Sequence, residues 1–270
     1  MSYSSGPRFH FGRNWKRYAK TVGEEQIKAA MESLTSSFEF HNFSNLRILD
    51  AGCGSGLFSL AACRLAANEI VSFDYDSHSV ECTRDLKQRF GPFYNWSIMQ
   101  GDVLNQTFLN DLGLFDIVYS WGVLHHTGNM WQGLENLSSL VKPGGYLFIS
   151  IYNDQGWISR VWRMIKKIYN QSPKIIQTLM AAIWYFVVVS VRIFSGIWHR
   201  KPPRSWFTGS ERGMNLWYDV VDWIGGYPFE TSSVKDLQIF LENRNFSLTK
   251  THTKSGSGCN ELVLKNMQKD

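Results

Sequence analysis

The stretch Ile48-Leu49-Asp50-Ala51-Gly52-Cys53-Gly54-Ser55-Gly56 decides the fold. An apolar run ends in an acid, and the turn after it carries glycine at every second position. Glycines at that spacing let the main chain turn tightly and let a ligand approach it closely. A helix-like run, 57–67, follows. A dinucleotide-binding turn would carry a third glycine at position 57, where this chain has Leu57. Asp50 sits at the mouth of the turn. A carboxylate there repels a pyrophosphate and suits a cationic ligand.

Outward from this turn, strand-like and helix-like runs alternate. Residues 46–50, 69–74, 95–99, 115–120 and 146–152 read as strands. Residues 57–67, 79–89 and 130–140 read as helices, the second ended by Gly91-Pro92 and the third stopped by Lys142-Pro143-Gly144-Gly145. Such alternation predicts a parallel sheet with helices on both faces, whose ligands lie beyond the carboxyl ends of the strands. Asp50, Asp74 and Asp102 fall on three successive strand ends. Asp74, ending the second strand, can accept both hydroxyls of a ribose. Asp76 competes for that role, and either acid can instead cap the helix that starts near Ser77. Asp102, in Gly101-Asp102-Val103, has a turn residue as its plainer reading.

The alternation stops at Asn153. From there to about Tyr227 the chain is rich in Trp and shows no strand period, which predicts an inserted helical lid. Residues 234–243 then read as a helix, and 246–253 and 260–265 as two closing strands around Ser255-Gly256-Ser257-Gly258. The expected organisation is an N-terminal helical cap (1–44), a ligand-binding core (45–152), a helical insertion (153–230) and a C-terminal helix with closing strands (231–270). At 270 residues and 44% apolar content the chain can bury a full core. Four scattered cysteines without a C-x-x-C pair point to reduced thiols, and the seven histidines form no H-x-x-x-H, so no metal is expected. The first fifteen residues hold no apolar run before a cleavage site, which predicts a cytoplasmic protein.

Net charge is +5, unevenly placed: nine Lys/Arg stand against one acid between Asp154 and Trp206. The seventeen residues 175–191 carry no charge, a borderline length for a membrane span. A single crossing would part the closing strands from the sheet they complete. The first expectation is therefore a buried lid helix or helix pair. Peripheral membrane contact through 175–198, with basic flanks, is the second.

Two more motifs complete the pattern: Phe115-Asp116-Ile117-Val118-Tyr119-Ser120-Trp121-Gly122-Val123-Leu124-His125-His126-Thr127, and the Lys142-Pro143-Gly144-Gly145 turn. With the glycine turn and the three acids, in this order, the chain resembles the class I S-adenosylmethionine-dependent methyltransferases. The resemblance covers roughly 45–152 and the closing strands. Glu211-Arg212-Gly213-Met214-Asn215 through Phe229-Glu230, with the later Gly258-Cys259-Asn260-Glu261, resembles a bacterial branch of quinone-type and small-molecule methylases. The family implies an α/β, Rossmann-like, seven-stranded mainly parallel sheet with helices on both faces, and S-adenosylmethionine as methyl donor with S-adenosylhomocysteine as product. That donor has an ammonium, a sulfonium and no phosphate. The family places Asp50, Gly52, Cys53, Gly54, Gly56, Asp74, Tyr75, Asp102, Val103, Ser120, Trp121 and Gly122 around it. Asp102 would accept from the adenine amino group, and Trp121 and Gly122 would line the methionine moiety.

The acceptor side is less legible. His125 or His126 can serve as general base, or can be structural parts of the loop. Arg212 can clamp a carboxylate, and Asp219, Asp222 or Glu261 can hold a cationic or amine acceptor. Trp15, Tyr18, Tyr152, Asn215, Tyr218 and Asn260 join them as candidate acceptor contacts. Trp15 and Tyr18 can equally staple a packing helix. The expected reaction is methyl transfer to an O or N atom of a small molecule enclosed by the lid. A lipid-like, quinone-type acceptor at a membrane is the alternative, followed by RNA or protein, although no nucleic-acid module is visible. The sequence leaves the oligomeric state open.

Overall fold

The computed structural model describes residues 9, 11–38, 42–200, 202, 216–253, 256 and 258–269. Its centre is a seven-stranded sheet in the order β3-β2-β1-β4-β5-β7-β6. The strands are β1 (Arg47–Ala51), β2 (Glu69–Asp74), β3 (Trp96–Gln100), β4 (Phe115–Trp121), β5 (Val141–Tyr152), β6 (Phe246–His252) and β7 (Cys259–Asn266). β1 to β5 run parallel, and β7 pairs antiparallel with β5 and with β6. The order reverses at β1, which sends the chain from one side of the sheet to the other and opens a crevice at the β1 and β4 ends.

The central strands read as continuous apolar runs because both faces are covered. Leu49, Val118, Leu147 and Ile149 are buried with residues of the helices α6 (Met130–Ser138) and α10 (Val234–Glu242), while α3 (Leu57–Arg64) packs against β1 and β2 and α4 (Ser77–Phe90) against β2 and β3. A short α5 (Gln106–Asn110), capped by the Asn105 side chain accepting from Phe108 N at 3.1 Å, lies where the sequence pattern showed no helix. Two helices, α1 (Gly12–Thr21) and α2 (Glu24–Phe38), precede the sheet. Arg89 at the end of α4 donates to the carbonyls of Ala19 (2.8 Å) and Val22, which ties the end of α1 down.

One predicted boundary is corrected. Lys142-Pro143-Gly144-Gly145 lies inside β5, not before it. The pairing register with β4 shifts between Phe115 and Ile117, and Gly144 takes φ +73°. The turn residues are accommodated as an irregularity within the strand, which resumes parallel pairing at Tyr146.

The chain divides into two compact units. The sheet unit includes α1, α2 and everything from Glu230 onward. The other unit is Arg160–Phe229 with Phe9. It contains most of α7 (Trp157–Gln171), all of α8 (Lys174–Trp198) and α9 (Leu216–Gly225). Its interior is Tyr169, Ala181 and Ile224 packed by Ile165, Met180, Trp184, Trp217 and Val221. Lys166 is buried there over the faces of Trp223 and Phe229, donating to the Trp223 carbonyl. The expectation that 175–191 forms a buried helix is overturned. α8 buries Ala181 and Gly196 and leaves Ile175, Leu179, Phe186 and Phe194 to solvent. The helix is apolar over far more of its circumference than its neighbours in the unit cover.

Candidate active site at the carboxyl ends of the strands

The glycine turn leaves β1 with Gly52, Gly54 and Gly56 at φ +83°, +54° and +81°. Gly52 N and Cys53 N donate to the Phe73 carbonyl at 2.8 and 3.1 Å, pinning the turn to the end of β2. A Cβ on Gly52 would lie 2.3 Å from Val123 Cγ2, and one on Gly56 2.7 Å from Thr83 Cγ2. Gly54 lies under the Trp15 indole, whose Cε2 would be 3.2 Å from a Cβ there. Trp15, expected among the acceptor contacts, thus sits on the glycine turn itself. Tyr18 packs edge-on against it at 5.9 Å between ring centroids and is otherwise buried.

The acids take distinct places. Asp74 accepts from Gly54 N and from Asp76 N, each at 2.9 Å. Asp76 is the cap of α4, accepting from His78 N at 2.9 Å, and also accepts from Gly12 N at 3.1 Å. Of the two competing acids, Asp76 takes the capping task, and Asp74, at the strand end, lies on the glycine turn. Asp102 accepts from Leu104 N at 2.9 Å and follows Gly101, whose N–H donates to the Asp74 carbonyl. Tyr75 is largely exposed beside it.

Asp50 is buried, and its carboxyl accepts from the Ser59 hydroxyl at 2.5 Å. Ser59 in turn meets Ser72, which accepts from the Trp96 indole, each at 2.7 Å. Burial raises the Asp50 carboxyl to about 7, with the nearby Asp74 adding to the rise against the Ser59 hydrogen bond. Burial also raises Asp74 to about 6. Cys53 is a buried thiol raised well above its ordinary range by burial, and by Asp74 and Asp50. It contacts Thr83 Oγ1 at 3.3 Å.

The other half of the site lies where β4, β5 and β7 come side by side. Trp121 pairs with Ser150 in the β4–β5 register, and Ser150 with Glu261 in the β5–β7 register. Along this row the Trp121 indole donates to Glu261 Oε1 at 2.8 Å. Gly122 follows at φ +74°, with open space where a Cβ would be. His125 is buried, accepts from Tyr152 N at 3.3 Å through Nδ1, and lies 3.9 Å from the Tyr152 ring. Its carbonyl accepts from Glu230 N at 3.0 Å. His126 is less enclosed and packs against Phe11 at 4.9 Å. Asn260 is buried and donates to Asn153 Oδ1 at 3.2 Å.

Several expected residues fall elsewhere. The Val103 side chain packs in the core with Leu104 and Leu134. Asp222 belongs to α9 of the other unit, where its charge acts on Lys166. Arg212 and Asn215 lie outside the described residues, as do Ser255 and Ser257 and the Tyr218 side chain. Tyr119 was missed. It is buried between the fields of Asp50 and Glu261 and stacks on Phe148 at 4.6 Å. Its signal was available: it stands two positions before Trp121 on one strand and so shares its face.

Three observations fit a cationic donor with hydroxyl groups. The main chain is bared by glycines. The two carboxyls are raised by burial and by a neighbouring acid, Asp74 beside Asp50 and Asp76 beside Asp74, which a nearby sulfonium or ammonium would relieve. The buried hydroxyls of Ser120 and Ser150 have no hydrogen-bond partner in the structure. The fold is that of the class I, Rossmann-like S-adenosylmethionine-dependent methyltransferases.

Comparison with known proteins agrees. The chain belongs to the methyltransferase domain family, whose model matches residues 24–188. Among curated proteins, it is 32% identical over 136 residues to the mitochondrial ubiquinone biosynthesis O-methyltransferase of Dictyostelium discoideum, a match covering 48% of this chain and 42% of that one. It is 32% identical over 113 residues to tenellin synthetase of Beauveria bassiana, covering 40% of this chain and 3% of that protein. The match to the ubiquinone-type enzyme of Pelagibacter ubique spans about half of that protein, 52%, at 26% identity. Among solved structures, magnesium protoporphyrin IX methyltransferase from Synechocystis PCC 6803, with bound S-adenosylhomocysteine, superposes with a TM-score of 0.56 at 16% identity, over 94% of both chains. At that identity the likeness is one of fold.

Proposed function

We propose that the chain transfers the methyl group of S-adenosylmethionine to an O or N atom of a small organic acceptor. When bound, the donor supplies an electrophilic methyl on a sulfonium. The protein's task is then to align the acceptor at about 3–3.5 Å and exclude water. Glycines 52, 54 and 56 are proposed to admit the donor to the main chain, with Asp74 on the ribose, Asp102 on the adenine side and Asp50 facing the positive end. Ser120, Trp121 and Gly122 complete that side.

The observation that carries the acceptor half is the Trp121–Glu261 hydrogen bond. It holds an acid beside the strand ends, where it can orient an acceptor hydroxyl or amine or take its proton. His126 is the second candidate base; His125, buried and bonded to Tyr152 N, is assigned to holding the loop. Acceptor selection is assigned to the helical insertion, 153–230, whose Trp-rich composition suits an organic ligand.

A second reading has a lipid-like, quinone-type acceptor. It is supported by the names of the ubiquinone-type relatives and by the exposed α8. One experiment separates the two. Purified protein is given methyl-labelled donor and a bacterial extract divided into aqueous metabolites, lipids, RNA and protein. Label in the aqueous fraction supports the first reading and label in the lipid fraction the second. Label only in RNA or protein, or in nothing, sinks both.

A further inference from the structure

We infer that the insertion unit docks on a membrane surface bearing anionic lipid, with α8 lying in the plane of the interface. The inference is independent of which acceptor is methylated. It starts from α8, a 25-residue helix long and apolar enough to cross a bilayer. Along it Ile175, Leu179, Ile183, Phe186, Phe194 and Trp198 stand 57–84% exposed. An apolar face of this extent, left open to water, marks an interaction surface.

The sheet topology decides how that face meets lipid. α8 lies between β5 and β7 in the chain, yet those two strands pair directly with each other. A crossing by α8 would need a second crossing back. Residues 199–215 carry Arg200, Lys201, Arg204, Glu211 and Arg212, and α9 and α10 are only 10 and 9 residues long. None of these can return through about 30 Å of hydrocarbon. The helix therefore lies along the surface.

A neighbouring helix repeats the pattern. α7 exposes Trp157, Val161, Met164 and Ile168, spaced four, three and four residues apart, which is a single stripe. Arg160 and Lys167 are exposed beside that stripe, and Lys174 and Arg200 are exposed at the two ends of α8. Trp157 and Trp198, 68% and 84% exposed, are the aromatic type that settles at the headgroup level.

Charge identifies the occupant. Arg160, Lys167, Lys174 and Arg200 are exposed along these helices, in a segment whose sequence sets nine Lys/Arg against one acid between Asp154 and Trp206. A second copy seated on the same face by two-fold symmetry would set that positive charge against itself. An anionic lipid surface complements it and accepts the apolar side chains together.

The test uses the full chain with vesicles of phosphatidylcholine alone and of phosphatidylcholine with phosphatidylglycerol. Sedimentation should find the protein on the mixed vesicles at low salt, with partitioning weakened about tenfold or more at ~1 M salt, where the Debye length is ~3 Å. The double variant Phe186→Ser with Phe194→Ser should lower partitioning about tenfold or more, because both side chains are mostly apolar area delivered to the lipid. Calorimetry of donor binding, unchanged in that variant, shows that it is folded. No sedimentation with mixed vesicles at low salt overturns the inference. So does equal partitioning onto phosphatidylcholine alone, or a wild-type dimer in lipid-free buffer that the double variant dissolves.

Discussion

The indole N–H of Trp121 and the carboxylate of Glu261, 140 residues apart in sequence, meet at 2.8 Å across the ends of β4 and β7. Cutting this link should cost activity before it costs the fold. Glu261→Ala leaves the partly buried indole N–H without that acceptor, a loss of about 1–3 kcal/mol. If the interaction is made in the transition state, kcat/KM falls about 10- to 100-fold. Glu261→Gln keeps an acceptor oxygen for Trp121 and removes the charge. Activity close to the parent's in Glu261→Gln would assign the residue to positioning; a loss equal to that of Glu261→Ala would assign it to charge or proton transfer. Donor affinity by calorimetry should be little changed in both. Wild-type kcat/KM in Glu261→Ala would refute any role for the pair.

Asp50 makes the unliganded protein sensitive to pH in a known direction. Its carboxyl is raised from 3.8 to about 7, chiefly by burial. The folded state then binds more proton than the unfolded state across that window. Its contribution to stability is full below about pH 3.8 and is lost as pH rises through about 7. Asp74, raised to about 6, acts in the same sense. A bound cation favours the ionised carboxyls, so the increase in melting temperature caused by S-adenosylmethionine should be larger at about pH 8 than at about pH 6. Asp50→Asn should flatten that difference. An equal shift at both pH values in the parent would show that the donor's charge does not act on Asp50.

The glycines divide into two kinds, and substitution should tell them apart. Gly52 and Gly122 have similar positive φ, +83° and +74°. A Cβ on Gly52 would strike Val123 Cγ2 at 2.3 Å, whereas one on Gly122 meets nothing. Gly122→Ala should therefore cost only the backbone term, about 1–2 kcal/mol. Gly52→Ala adds overpacking of about 1–3 kcal/mol and moves the turn. Urea denaturation should rank them in that order, and donor binding should weaken most in Gly52→Ala. Equal midpoints would mean that Val123 yields without cost.

Much of the sheet was legible because parallel strands buried on both faces are written as apolar runs, and turns as Gly, Pro and Asp. The acids at three strand ends were visible for the same reason: Asp50 and Asp74 close their runs directly, and Asp102 follows its own after Gly101. The Lys142–Gly145 segment was misplaced because a local turn signal does not reveal that pairing resumes around it. The exposure of α8 was invisible because apolar residues at helical spacing look alike whether a core or a lipid covers them. The Trp121–Glu261 pair also escaped notice as a pair. It depends on β7 docking antiparallel beside β5, a long-range register that no local pattern encodes.

Lys166 offers the opposite pH signature to Asp50. It is buried over Trp223 and Phe229 and donates to the Trp223 carbonyl. Burial lowers it from 10.5 to about 7, against the pull of Asp222. Between those values the unfolded state binds more proton, so this contribution is present above about pH 10.5 and is lost as pH falls through about 7. Unfolding followed by Trp fluorescence, which reports on Trp162, Trp184 and Trp223, should show stability rising with pH across the window. Lys166→Met should abolish that rise. Asp222→Asn, by removing the opposing charge, should extend it below about pH 7. A rise that persists in Lys166→Met would place its source in another group, and the buried lysine would then titrate as if exposed.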